Sequence, residues 1–201
     1  MEPAMIWPEP TTLSLHNVRL EPLSKDHLDD LIVAVKDGKL YDHWYTSIPE
    51  PQDMNAEINR RLDLQNKKSM LPFAVISLRN NKAVGMTTYM NIDRDNKRVE
   101  IGSTWYAKSV QRTSLNTECK LMLLEYAFER LGCICVEFRT HFMNYQSRRG
   151  IERLGAKLDG ILRSNAIQKN GTIRDTAVYS IIKDEWSAVR ANLAYQISKE
   201  R

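Results

Sequence analysis

Nothing in this sequence is in great excess, and several things are scarce. Its 201 residues include only three cysteines, Cys119, Cys133 and Cys135. An odd number without zinc-type pairing argues against a disulfide framework, and such residues read as reduced, core-filling side chains. The four histidines, His16, His27, His43 and His141, are scattered singly, so no His/Cys/Asp cluster has the spacing of a metal site. Glycine and proline number 8 and 7, too few for a collagenous or low-complexity chain. No apolar run approaches the roughly 18 residues that a membrane helix needs. Residues 1–12 carry acidic residues and prolines but neither a basic segment nor an apolar one. They do not read as a secretory signal, and a cytoplasmic location is expected. Charge of one sign is lacking too. The net charge is +4, and the basic clusters (Arg60-Arg61, Lys67-Lys68, Arg148-Arg149) are short and read as solvated faces. Without a Lys/Arg stripe interleaved with aromatics, neither nucleic acid nor membrane is an expected partner. A mild positive balance suits a small anionic ligand.

What is present is the composition of a globular chain, 42% hydrophobic and 27% charged, long enough for a sizeable core. Residues 11–20 alternate (Leu13, Leu15, Val18, Leu20) as a strand does. Ser24-Lys25-Asp26 opens a helix to about Lys36, with Leu28, Leu31, Ile32 and Val35 on one face and Gly38 as its stop. An aromatic, proline-containing loop spans residues 41–51. Asp53 is expected to cap a second helix to about Lys68. The period then changes. Residues 73–78 and 83–91, joined by Asn80-Asn81-Lys82, read as a hairpin, and residues 98–106 complete a three-stranded meander. A loop over 107–116 leads to a helix over 117–131 and a strand over 135–140. Residues 144–154 read as a helix closed by Gly155. Two further strands, 157–166 and 177–182, turn at Lys169-Asn170-Gly171, and 184–199 form a last amphipathic helix. The order is β α α β β β α β α β β α, an α+β protein with one mixed sheet. We expect one domain over 1–201, with 1–12 as an extension and 184–201 as its closing helix.

The loop before the third helix is the most informative segment. A pyrophosphate is well held by unpaired backbone amides at a helix N-terminus, where the helix dipole favours negative charge. The entering loop should be short and polar and turn its amides toward the anion. Gln111-Arg112-Thr113-Ser114-Leu115-Asn116-Thr117 has that character. The helix after it is apolar on nearly every side, as a buried crossover between two strands would be. Its polar positions, Glu118, Glu125 and Glu129, fall on one narrow stripe. These residues fit an ordinary crossover equally well.

Residues 101–131, with 144–155 following, resemble motifs A and B of the GNAT acetyltransferases. The overall layout resembles the Rim-type ribosomal-protein N-terminal acetyltransferase branch. The pyrophosphate loop of that family, Q/R-x-x-G-x-G/A, is matched by Gln111, Ser114 and Asn116. Residues 123–132 (LLEYAFERLG), Asn144-x-x-Ser147-Arg148 and Leu154-Gly155-Ala156 are similar to the branch as well. The resemblance implies a GNAT-type, mostly antiparallel sheet of six to seven strands flanked by helices. It implies acetyl-CoA as acyl donor, no metal, and a primary amine as acceptor, either a protein N-terminus or a small molecule. Both loop glycines are replaced. Glycine lets backbone close on phosphate without a Cβ; Asn116 tolerates left-handed geometry, whereas Ser114 should take an ordinary conformation or offer its hydroxyl.

The resemblance also implies roles. Thr104, Trp105 and Tyr106 would present the strand amides that hold the acetyl carbonyl and act as an oxyanion site. Asn144 would reach the pantetheine, or simply cap its helix. Glu100 matches a general base acting through water, or is a solvated carboxylate paired with Lys97 or Arg98. The superfamily's tyrosine acid would fall near Ile151, which cannot donate, and Ser147 resembles its replacement in the Rim-type branch. Asp175, in Gly171-x-x-x-Asp175, would orient the amine or brace the last hairpin through Arg174. His43, Trp44 and Tyr45 would line the acceptor pocket, or plug the core. No cysteine stands where a covalent acyl intermediate would form, which favours direct transfer. The rival reading is a non-catalytic acyl-CoA-binding or regulatory module on the same fold. The stripe Trp186, Val189, Leu193 and Ile197 packs at home or forms a homodimer.

Overall fold

The computed structural model describes residues 7–199. Eight strands form one sheet in the order β1-β2-β3-β4-β5-β6-β8-β7. They are β1 (Leu13–Ser14), β2 (Val18–Pro22), β3 (Met70–Ser77), β4 (Lys82–Asp93), β5 (Arg98–Tyr106), β6 (Cys135–His141), β7 (Lys157–Ile167) and β8 (Ile173–Ile182). The count exceeds the expected six to seven. The first expected strand bends at Leu15-His16-Asn17, where Leu15 N–H donates to Val18 O at 3.0 Å, and divides into β1 and β2. Only β5 and β6 run parallel. They are joined over the top of the sheet by α3 (Leu115–Glu125), which runs on into a π-helical turn, Tyr126–Arg130. A helix is the usual connection between parallel neighbours.

Strand alternation assigns the two faces. Glu100, Glu137, Arg139, His141 and Thr176 point to one, along with Met90 and Thr88. The helices α1 (Leu28–Lys36) and α2 (Met54–Asn66) cover part of that side; Arg61 of α2 donates to Thr88 Oγ1 at 2.7 Å. Tyr89, Thr87, Phe138 and Tyr179 point to the other, under α3, α4 (Tyr145–Leu154) and α5 (Trp186–Ser198). There the Tyr89 hydroxyl donates to Leu123 O, and Tyr179 bonds Glu152 of α4 at 2.8 Å. Phe73, Tyr89, Leu123, Phe138 and Tyr179 are all within 2% of complete burial. Burying side chains of this size stabilises by roughly 1.5–3 kcal/mol each.

The local signals explain the helix ends. Ser24 closes a capping box with His27, starting a 3-10 turn that becomes α1, and Gly38 at φ +92° ends the segment. A Cβ at Gly38 would lie 2.6 Å from Lys108 Cβ, so the α1 terminus packs directly on the loop before α3. Asp37 fastens the same contact by accepting from Ser109 N–H at 2.8 Å. Asp53 precedes α2, but its side chain makes no capping bond. At α4, by contrast, Asn144 Oδ1 accepts from Ser147 N–H at 3.0 Å.

The three cysteines are all free and buried. The apolar stripe of α5 packs at home: Trp186, Val189 and Leu193 are buried, with Trp186 stacked on Phe128 at 5.2 Å. No helix among the described residues is long and apolar enough to cross a membrane.

Candidate active site

The parallel pairing of β5 with β6 covers only Arg98–Cys135, Val99–Val136 and Glu100–Glu137. Beyond it β5 follows β4 and β6 follows β8, and a wedge opens between them. Backbone groups along such a wedge lose their ladder partners and must be satisfied by something else. A bulge stands at the same place: Thr88 pairs with Gly102 but Met86 with Trp105, and Ser103 between them is left-handed at φ +47°. The candidate segment Thr104, Trp105 and Tyr106 lies just past this bulge. Trp105 Nε1 is buried there without a hydrogen-bond partner.

The wedge leads to the start of α3. The helix begins at Leu115, two residues earlier than expected, with Ser114 at the cap position. The expected substitution for glycine is therefore corrected. Asn116 lies inside the helix, and the left-handed residue is Arg112, at φ +60°. Ser114 has an ordinary helical conformation (φ −67°), and its hydroxyl donates to Glu118 Oε1 at 2.7 Å. Gln111 is anchored by its side-chain amide, which donates to Tyr106 O at 2.9 Å. Thr113 Oγ1 accepts from Leu115 N–H at 3.3 Å. The first-turn amides of Asn116 and Thr117 precede the helical ladder, and the Thr117 hydroxyl is buried and unpartnered. Unanswered amides at a helix dipole's positive end fit a pyrophosphate. A buried hydroxyl without a partner adds to that fit.

Glu118 does not belong on a solvated stripe with Glu125 and Glu129. It is fully buried and accepts from Asn17 N–H at 2.9 Å, from Asn17 Nδ2 at 2.7 Å and from Ser114. It ties the loop to the β1–β2 bend. Lys120 is buried as well, 6% exposed. Among the described residues its Nζ reaches Thr104 Oγ1 (3.1 Å) and Thr87 Oγ1 (3.4 Å), and burial lowers its pKa to about 8. No sequence pattern marked either residue, because their burial depends on neighbours 16 to 101 positions away.

Glu100 stands at the fork of the wedge and is 5% exposed. Asn91 Nδ2 donates to it at 2.6 Å, and Arg139 Nε lies 3.6 Å away. Neither expected partner, Lys97 or Arg98, holds it; Arg98 pairs with Glu137 instead. Burial raises the Glu100 pKa, and Asn91 and Arg139 only partly oppose the shift. A Cβ at Gly102 would lie 2.8 Å from Glu100 Oε1, so glycine leaves room for this carboxyl.

On the same face as Glu100, at the far end of β6, an aromatic cluster meets His141. Trp44 is half-exposed, and its ring meets His141 edge-on at 5.0 Å; Tyr45 lies 6.2 Å from His141 and stacks on His43 at 5.5 Å. These three residues do not plug the core. His141 was not singled out by sequence, since its neighbours come from a loop almost a hundred residues earlier. Ser147 and Asn144 sit at the α4 terminus, on the opposite side of the sheet from Glu100. Asp175 braces the β7–β8 hairpin, but through Arg163 Nε (2.6 Å) and Ser164 N–H (2.8 Å) rather than through Arg174. Among the described residues, no group of three or more His, Cys, Asp or Glu side chains could hold a metal.

A forked pair of parallel strands, a bulge at the fork and a helix terminus beyond it are what the GNAT fold uses to hold acyl-CoA. The family model for the acetyltransferase (GNAT) domain matches residues 17–157, and the chain belongs to that family. It is therefore an acetyltransferase. It is similar to a GCN5-related N-acetyltransferase from Brucella melitensis, 29% identical, with a TM-score of 0.85 over 95% of this chain and 87% of that one. It is also similar to an uncharacterized N-acetyltransferase, p20, from Bacillus licheniformis, 24% identical over 71% of this chain and 78% of that protein. The fold extends to the Rim-type enzymes: RimJ of Mycobacterium smegmatis, solved with CoA-disulfide, gives a TM-score of 0.78 at 18% identity, covering 95% and 96% of the two chains.

Proposed function

We propose that the chain, working as one domain, transfers acetyl from acetyl-CoA directly to a primary amine, on a protein N-terminus or a small molecule. The observation that carries this reading is Glu100, a buried carboxyl with a raised pKa at the fork of the wedge. A base is most useful when its pKa lies near the working pH. Glu100 takes a proton from the ammonium or attacking amine, through water, on its own face of the sheet. The nitrogen lone pair forms the new C–N bond, and the C–S bond breaks with its electrons leaving on sulfur. Ser147, on the α4 side, gives the thiolate a proton and recovers one from solvent. Base and acid act on different atoms, the attacking nitrogen and the departing sulfur, so the two need not share a side of the sheet.

The other roles follow from what each group has left to offer. Asn144 uses Oδ1 to cap α4, which leaves its Nδ2–H for a pantetheine carbonyl. Strand amides at Thr104, Trp105 and Tyr106 bind the acetyl oxygen, where negative charge develops. The loop Gln111, Arg112, Thr113, Ser114 and Leu115, with the amides of Asn116 and Thr117, binds the pyrophosphate. His43, Trp44 and Tyr45 border the acceptor, and Asp175 orders the hairpin that forms its other wall. Burial pushes the Cys119 and Cys133 thiols up to about 12. Neither suits a covalent relay, which supports direct transfer.

The test is thiol release from acetyl-CoA over a panel of peptides and small amines, alongside thermal melting with CoA. A ligand that binds only the folded state raises its melting temperature. We expect both a shift and turnover. A shift with no turnover for any amine would leave the acyl-CoA-binding module instead.

A further inference from the structure

Among the described residues of this face, Arg174 is a half-buried guanidinium with no carboxylate in contact. It lies on β8 beside Thr176, and its Nε donates to Thr176 Oγ1 at 3.0 Å. Its two terminal nitrogens have no hydrogen-bond or ion-pair partner among the described residues. The other arginines of this face are engaged: Arg98 and Arg139 with Glu137, Arg139 also with Glu100, and Arg61 with Glu57, Thr88 and Ser103 O. Burial lowers the pKa of Arg174, and Glu100 is the single carboxylate that opposes this. Glu100 is itself shared with Arg139 and Asn91.

His141 stands one strand away, paired in register with Thr176. Its Nδ1 accepts from Met143 N–H at 3.0 Å. In a neutral imidazole the other nitrogen must then carry the proton. Burial and the neighbouring Arg174 both lower its pKa, which keeps the ring neutral. That Nε2–H is buried without a partner, on a residue 5% exposed. A buried donor left unanswered costs about 1–3 kcal/mol, so a ligand atom is the natural complement. Arg174 and His141 thus present unanswered donors on the same face, His141 against the Trp44 and Tyr45 rings and Arg174 within electrostatic reach of both His141 and Glu100. A planar guanidinium fork matches a carboxylate, and one cation with one neutral donor matches a single negative charge.

We infer that the acceptor carries a carboxylate near its amine, bound by the terminal nitrogens of Arg174 and by His141 Nε2–H. This rests on the acyl-transfer reading above and names its acceptor class: a free amino acid, or a peptide whose first or second side chain is Asp or Glu. With the carboxylate held at Arg174, the amine is directed toward Glu100.

Matched acceptors test this: amino acids against their carboxamides, and peptides beginning with Asp or Glu against the same peptides with Asn or Gln. The readout is kcat/KM by thiol release. A charged hydrogen-bonded contact predicts a preference for the carboxylate of about tenfold to a hundredfold. In Arg174→Gln the acid-to-amide preference should fall toward unity through KM for the acid, a ratio that cancels any change common to both acceptors, such as the rise in the Glu100 pKa on losing this cation. His141→Gln, which keeps a donor, should retain more of it than His141→Phe. The free-acid arm and the peptide arm identify which source of carboxylate is preferred. Equal use of acid and amide, or a preference unchanged in Arg174→Gln, overturns the proposal while leaving acetyl transfer standing. If no amine supports turnover, the acyl-transfer reading fails. Equilibrium binding of the same pairs to the CoA-loaded protein then reads the carboxylate preference by itself, and its absence overturns the proposal there too.

Discussion

The two faces of the sheet handle buried charge in opposite ways. On the Glu100 face, the buried Arg61 and Glu100 belong to linked sets that run out to the surface: Arg61 to Glu57, Arg139 to Glu100, and Arg98 and Arg139 to Glu137. Under α3, the two buried charges, Lys120 and Glu118, stand without an opposite partner among the described residues. Lys120 meets two threonine hydroxyls, and Glu118 meets an amide side chain, a backbone N–H and a serine. A linked set of ions tunes proton affinity around a reacting group. An isolated ion in a low-dielectric interior is chiefly a cost, unless it fixes a neighbouring segment in place. Glu118 does so for the loop before α3. Lys120 does so, more weakly, for Thr104.

The largest effect should come from the linked face. Glu100→Gln keeps the Asn91 contact but cannot accept a proton, and should lower kcat by about 10²- to 10⁴-fold. The parent's activity should fall as pH drops through a pKa above the ordinary 4.5, because burial raises this carboxyl. Loss of that limb in the variant's pH–rate profile checks the assignment; a retained limb assigns it elsewhere. Next comes Arg61, 3% exposed and donating to three partners. Arg61→Ala leaves Glu57 short of its buried cation and should destabilise by about 3–5 kcal/mol in urea denaturation. A loss below about 1 kcal/mol would place this pair among surface bridges.

The isolated face should respond in the other direction. The Lys120 pKa falls from 10.5 unfolded to about 8 folded. Between those values the unfolded chain holds the extra proton, so this residue's contribution to stability rises with pH and is flat below about 8. Lys120→Met should therefore be more stable than the parent at neutral pH, by up to about 3 kcal/mol. The difference should narrow as pH approaches 10.5. Denaturation of both proteins at pH 7 and pH 10 measures it, and a constant gap would mean that Lys120 keeps its charge inside. The smallest effect belongs to Asn144. Asn144→Ala removes the α4 cap at a cost of about 1 kcal/mol. A parallel rise in KM for acetyl-CoA, larger than stability accounts for, would separate its proposed pantetheine contact from its capping.

The same contrast explains what could be read from sequence. Where periodicity and turn chemistry act locally, the match is close. Residues 98–106 form β5 without a residue's error, and Asn144 and Gly155 bound α4 as their types suggest. The start of α3 was placed late because Ser114 gives its hydroxyl to Glu118 and makes no side-chain cap for its helix. Burial of charge was the least legible property. Arg61 read as part of a solvated cluster and Glu118 as part of a polar stripe, yet both are inside. Each has one partner four residues back, Glu57 or Ser114, but the groups that admit them to the interior, Thr88 and Ser103 for Arg61 and Asn17 for Glu118, lie far away in sequence. His141 and Arg174 were hidden for the same reason, since their meaning arises only where β6, β8 and the 41–51 loop meet. Family resemblance points to Glu100, whereas its partners Asn91 and Arg139 carry no local signal.

The three sequestered cysteines have a practical corollary. Thiol-disulfide exchange requires an accessible thiolate. In the folded protein Cys119 and Cys133 ionise only near pH 12, and burial raises Cys135 as well. A chromogenic disulfide added to follow turnover should therefore react with liberated coenzyme and find almost no competing sulfhydryl in the enzyme. The slow background colour that does develop would be a clock for unfolding, because each chain that opens exposes three new thiols.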